Sequence, residues 1–139
     1  MEGDMAEEQE RGPAWHSYGA DQAAVEVWVR KTFGDRIMDD EAERGRRVLE
    51  EAVELAQVEG VTRQDAHKII DAVFKKPKGE LSQELGGVIV TLLAACARHE
   101  IRLDDIARAE IDRVQKGDGK KFRDKQATKS ALGIGDRPE

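Results

Sequence analysis

The segment RRVLEEAVEL, Arg46–Leu55, holds three glutamates and an arginine at spacings that a helix would gather onto one side. At about 100° per residue, Arg47, Glu50, Glu51 and Glu54 share a single arc about 100° wide. Val48, Leu49, Ala52, Val53, Leu55 and Ala56 fall opposite, giving the same helix an apolar face. Like charges one turn apart repel, and neutral glutamine would serve a merely solvated face at lower cost. A divalent cation removes that repulsion. Mg²⁺ takes hard oxygen ligands and keeps several waters, so two or three carboxylates together with substrate phosphates can hold it. A solvated helix face is the competing explanation for the same letters.

A second acidic pair, Glu80 and Glu84, lies one helical turn apart at the head of an apolar run, and its stripe continues through Gly87 and Thr91. Gly86 and Gly87 cost about 1 kcal/mol each inside a helix relative to Ala. That cost points to a place where bulk is excluded, by a neighbouring helix or by a ligand. If the two acidic stripes face each other, their carboxylates converge on one pocket, a known style of metal site in helical bundles.

The elements that must position these groups are helices. Ala and Glu are the most frequent residues and only three prolines occur, a usage that favours helix. The chain is expected to be all-α, a bundle of about four to five helices. Helical spacing runs from Asp21 to Phe33, with Gly34 as its stop. A second helix starts at Asp39 or Asp40 and ends before Gly60. A third begins at the N-cap Thr62, with Asp65 three residues on, and KKPKG breaks it. The next spans about Glu80 to His99 and is apolar almost all round from Val88, which places it at the centre of the bundle. The last, capped by Asp104 or Asp105, reaches the GDG at Gly117–Gly119, and KKFRDKQATK adds another turn or two. The chain thus divides into an acidic, disordered tail over 1–19, a helical domain over 20–128 and a flexible tail over 129–139. Trp15 and Tyr18 would pin the first tail to the body.

With 37% charged and 39% hydrophobic residues, one chain has a lean core, so a second copy is expected to complete it. A formal charge of −6 argues against a general nucleic-acid binder. The start, MEGDMAEEQERG, is not a secretory signal. The longest apolar run, Val88–Ala97, is about half a membrane span, so a cytoplasmic, non-membrane protein is expected. Cys96 sits in that run and reads as a buried thiol. His16, His67 and His99 read as surface histidines.

Three stretches, WVRKTFG, ERGRRVLEEAVELAQ and GELSQELGGVIVTLLAAC, follow one another in an order and spacing that resembles the MazG-like all-α nucleoside triphosphate pyrophosphohydrolases, in particular their small single-domain bacterial and phage branch. The resemblance covers about Val25 to Val114. It implies Mg²⁺-dependent hydrolysis, with Mn²⁺ as an alternative ion, between the α and β phosphates of a (d)NTP, releasing (d)NMP and pyrophosphate in nucleotide-pool housekeeping. The EExxE motif assigns metal binding to Glu51 and Glu54, with Glu50 beside them. The family's ExxD reads Glu84-Leu-Gly-Gly87 here, so glycine replaces the expected aspartate and Glu80, one turn earlier, stands in as an oxygen ligand. Glu50 or Glu80 would be the general base. Arg47, Lys121, Arg123 and Lys125 are the candidate phosphate contacts, and Trp28 and Phe33 the candidates to stack on a base. The resemblance also implies a homo-oligomer, a dimer or a dimer of dimers. Enzymes preferring dUTP or dCTP, and phosphoribosyl-ATP pyrophosphatases, are the nearest functional variants. Gly87 keeps open a different class, a non-catalytic helical module that binds nucleotide or protein. A purely structural helical oligomer is a third.

Overall fold

The computed structural model describes residues 17–137, which form seven α-helices and no strand. In chain order these are α1 (Ser17–Phe33), α2 (Asp35–Asp39), α3 (Glu41–Val58), α4 (Arg63–Phe74), α5 (Leu81–Arg98), α6 (Leu103–Lys116) and α7 (Gly119–Ala131). The all-α expectation holds. Most of the expected tail 1–19, with Trp15 and His16, lies outside the described residues.

Local chemistry accounts for the boundaries. Gly34 takes φ 91°, closes α1 and opens the one-turn helix α2, too short to leave a periodic signal. The Asp40 side chain caps α3 by accepting from the Glu43 backbone N–H at 3.0 Å. Gly60, φ 90°, ends α3 in a reversed turn in which Val61 N donates to Ala56 O at 2.9 Å. Thr62 caps α4 through Asp65 N. Asp104 and Asp105 lie in the first turn of α6, where they favour the helix dipole, but the N-cap position is Arg102. Asp118 caps α7 by accepting from Lys120 N.

Helix α1 packs against α2, α6 and α7, and α2 packs against α3. An aromatic cluster joins the two ends of this group. Trp28 meets Phe33 edge-on at 5.6 Å and Phe122 of α7 at 5.3 Å between ring centroids. Arg30 spans the α1–α2 junction, bonded to Glu26, Asp35 and Asp39. Val29, Ile37 and Cys96 are the buried apolar side chains among the described residues.

Two expectations change. Helix α5 is not enclosed within one chain: Cys96 is its buried residue, whereas Leu81 is 77% and Val90 66% exposed. Among the described residues little covers its other sides. Residues 129–137, expected as a flexible tail, complete α7 and then fold back onto α2 and α3. The physical reason is a buried polar hub.

That hub is Glu43, whose side chain is 0% exposed. Its Oε1 accepts from Gln126 Nε2 of α7 at 2.9 Å. Arg46 Nη1 lies 3.5 Å from Oε2. Arg47 Nε lies 3.0 Å from Oε1, an ion-pair contact outside hydrogen-bond angles. Removing one partner of a buried ion pair strands the others. Glu43→Ala is expected to cost about 3–5 kcal/mol in urea unfolding, with Glu41→Ala, at the exposed start of the same helix, changing little.

Candidate functional site

Helix α3 sorts its carboxylates into two groups. Glu43 and Glu50 are neutralised: Glu50 pairs with Arg47 Nη1 and with Lys129 Nζ, the latter at 3.0 Å. Glu51 and Glu54 are exposed, and among the described residues neither has a cation within ion-pair distance. Glu51, together with Arg47, Val48 and Leu55, lines one wall of an open cavity of about 640 Å³, and Val88, Thr91 and Leu92 of α5 line the other. Glu51 also acts at a distance on Arg113 of α6. That guanidinium is held above its usual value first by its hydrogen bonds to Glu110, with the Glu51 charge the smallest contributor. Glu54 points to a second cavity of about 580 Å³, shared with Thr62, Arg63, Ala66, His67 and Ile70.

On α5, Glu80 occupies the N-cap position without a side-chain capping bond, and the Glu84 carboxylate folds over Gly79, where a Cβ would collide with it. Thr91 Oγ1 donates to Gly87 O at 3.1 Å and lies 2.9 Å from Val88 O. A Cβ at Gly86 or Gly87 would meet nothing within 4 Å. Neither glycine is required by packing among the described residues. Among the described residues no three His, Cys, Asp or Glu side chains gather into a metal-sized cluster. Glu51 and Glu54 lie on α3, and Glu80 and Glu84 at the start of α5.

The other candidates are dispersed. Arg47 stands at the edge of the α3–α5 cavity, engaged by Glu43, Glu50 and the Ile134 carbonyl. Lys121, Arg123 and Lys125 are exposed on α7, and Arg123 borders a small pocket with Phe33, Ile37 and Gln126. Trp28 turns one edge to a hollow lined by Ala24, Val27, Lys31 and Gln115, while its ring packs in the aromatic cluster. His99 Nε2 lies 2.5 Å from Glu59 Oε1, linking the far ends of α5 and α3.

No protein-family model, curated protein or solved structure matches this chain.

The residues that the linear sequence did not single out form the most connected group. Asp136 is 6% exposed. Its Oδ1 accepts from Gln126 Nε2 at 2.9 Å and Ser130 Oγ at 2.6 Å, and its Oδ2 from Arg36 Nη2 at 2.6 Å. These bonds, Gln126 first, then Ser130 and Arg36, hold the carboxyl well below the usual carboxylate range. A carboxylate three places from the end of the chain, in GIGDRPE, gives no signal of this by itself.

A carboxyl depressed in the folded state contributes stability that is full above its ordinary value, 3.8, and is lost as pH falls below it. Asp136→Asn is expected to cost about 1–3 kcal/mol near pH 6. Thermal melts from pH 6 to pH 3 should then fall less steeply in the variant than in the parent. Parallel curves would refute this role.

Proposed function

We propose that this chain is a Mg²⁺-dependent nucleoside triphosphate pyrophosphohydrolase that works as a homo-oligomer and releases a monophosphate and pyrophosphate. The observation that carries this reading is the selective pairing on α3. Glu43 and Glu50 are neutralised by the protein's own cations, while Glu51 and Glu54, the pair that EExxE assigns to metal, have no cation partner among the described residues and border two neighbouring cavities. Their donor set is all oxygen and negative, which suits a hard divalent cation. Glu84 of α5 and its N-cap Glu80 likewise have no cation within ion-pair distance among the described residues.

On this reading Glu51 and Glu54 hold the ion, with Glu84 and Glu80 as the second pair. The ion, when bound, supplies charge neutralisation of the triphosphate and a polarised water. Of the two general-base candidates, Glu50 is tied to Arg47 and Lys129, which leaves Glu80 as the residue that would accept a proton from the attacking water. Arg47 and the α7 cations Lys121, Arg123 and Lys125 supply positive charge toward the phosphates, and Trp28 offers a ring edge to a base.

The exposed face of α5 supports the homo-oligomer part of this reading. Its exposed Leu81, Leu85, Val88, Ile89, Val90 and Leu93 each forfeit on the order of 1 kcal/mol relative to full burial. A bilayer is the other medium that could cover them, since α5 has the length and mean hydropathy, 1.2, of a short span. Its charge-free part, Leu85–Ala97, rises only about 20 Å at 1.5 Å per residue, against about 30 Å of hydrocarbon. A second copy of the chain fits better, in a protein proposed to be cytoplasmic. Light scattering should give a mass of at least twice 15.5 kDa, and a monomer would overturn the shared-core picture.

The deciding assay incubates the protein with Mg²⁺ and a panel of ribo- and deoxynucleoside triphosphates and resolves the products by anion exchange. Monophosphate and pyrophosphate are expected, falling at least about 100-fold in Glu51→Gln and with EDTA. No product with either Mg²⁺ or Mn²⁺ would favour the second reading, a non-catalytic nucleotide- or protein-binding module, for which Gly87 in place of aspartate is the specific support. The open space at Gly87 makes Gly87→Asp tolerable and informative. On the hydrolase reading it raises Mg²⁺ affinity, measured by calorimetry, without loss of helicity.

A further inference from the structure

The chain turns back after α7 through Gly133, whose φ of 76° suits glycine. Gly133 N and Ile134 N donate to Ser130 O and Lys129 O at 3.1 and 3.0 Å, closing the turn. Gly135 lies so close to α7 that a Cβ there would come within 2.6 Å of Ser130 N. Asp136 then enters the cradle of Arg36, Gln126 and Ser130. Between these anchors, the Ile134 carbonyl oxygen accepts from Arg47 Nη2, while Arg47 Nη1 donates to Glu50. Two further ties run between the same elements. Gln126 Nε2 bridges Asp136 to Glu43, and Lys129 Nζ meets Glu50.

Both terminal nitrogens of Arg47 are thus taken, one by a carboxylate and one by the backbone of the returning segment. A guanidinium binds phosphate in the fork geometry of those two nitrogens. We propose that Gly133–Asp136 is an intramolecular clasp, closed by Asp136 in its cradle, which keeps Arg47 paired with Glu50 and unavailable to an incoming anion. Asp136 acts on Arg47 through the backbone at Ile134 and through Gln126 and Glu43, as a positioning residue. Arg47 borders the α3–α5 cavity next to Glu51, so opening the clasp would release a fork of donors at the cavity edge. The clasp itself stands independently of the reaction, whereas the use of the freed Arg47 for phosphate rests on the proposed hydrolase reading.

Two full-length variants open the clasp by different means. Asp136→Asn removes the charge that the cradle holds, and Gly135→Ala drives the turn off α7 sterically without changing any charge. Amide hydrogen exchange, the Arg47 Nε–Hε resonance in ¹⁵N-labelled protein (assigned with Arg47→Lys) and the affinity for inorganic pyrophosphate would be measured for each, with Lys68→Ala as a surface control. Exchange over 130–137 should rise at least about tenfold in both variants. The Arg47 resonance should move, and pyrophosphate should bind at least about threefold more tightly. A rise in exchange with an unmoved Arg47 resonance would overturn the clasp's hold on Arg47. A moved resonance with unchanged or weaker pyrophosphate binding would overturn its anion gating, while the nucleotide assay judges the hydrolase reading separately. If Asp136→Asn loses its helical circular dichroism, Gly135→Ala carries the comparison.

Discussion

A fully buried carboxylate in the first turn of α3 organises this molecule. Glu43 cannot be desolvated alone, because an unpaired buried charge costs several kcal/mol. It draws Arg46 and Arg47 from its own helix and Gln126 from α7. Gln126 has a second donor, and Asp136 takes it. The negative charge of Asp136 in turn calls for Arg36 and Ser130. One buried charge thereby links α2, α3, α7 and the returning segment. It also determines which way Arg47 faces, one turn before the exposed pair Glu51 and Glu54. The position of the candidate site is a consequence of satisfying a charge elsewhere.

The other half of the chain obeys a different constraint. Helices α4 and α5 carry apolar faces, including Ile69, Val73, Phe74, Leu85 and Ile89, that the single chain leaves exposed. Polar linkage needs specific partners at fixed distances and so can be completed internally. Apolar coverage is non-directional and roughly proportional to area, so a lean chain can leave it to another molecule. The buried Cys96 and the His99–Glu59 contact fasten the C-terminal end of α5, while its N-terminal end, with Glu80, Glu84 and the paired glycines, stays open.

Helix identity was legible because it rests on local signals. Gly34, Asp40, Gly60 and Thr62 mark their boundaries through chemistry that a linear reading can recognise. The helix α2 was missed because five residues are too few to show a period. The EExxE stripe was legible as a shared face, since helical spacing alone places Glu51 beside Glu54. Its division was not. Nothing local shows that Glu50 would find Lys129 across the fold, or that Glu43 would be buried by an amide more than eighty positions away. The need for cations on the phosphates likewise marked Arg47 as a candidate contact, and only the fold brings the Ile134 carbonyl to it.

Taken together, the two constraints couple the proposed oligomer to the proposed ion. The same region of α3 and α5 carries both the exposed apolar side chains and the uncompensated carboxylates. Covering it with a second copy removes water, lowers the local dielectric and strengthens repulsion among Glu51, Glu54, Glu80 and Glu84. A divalent cation cancels that repulsion. The cation would bind the assembled state more tightly than the separated chains, and by linkage it would stabilise the assembly it binds. Gly86 and Gly87 fit this account better than they fit the isolated chain. With open space around both, their helix-propensity cost has no return within one copy. A surface or substrate approaching α5 at that point would need the missing side chains to be missing.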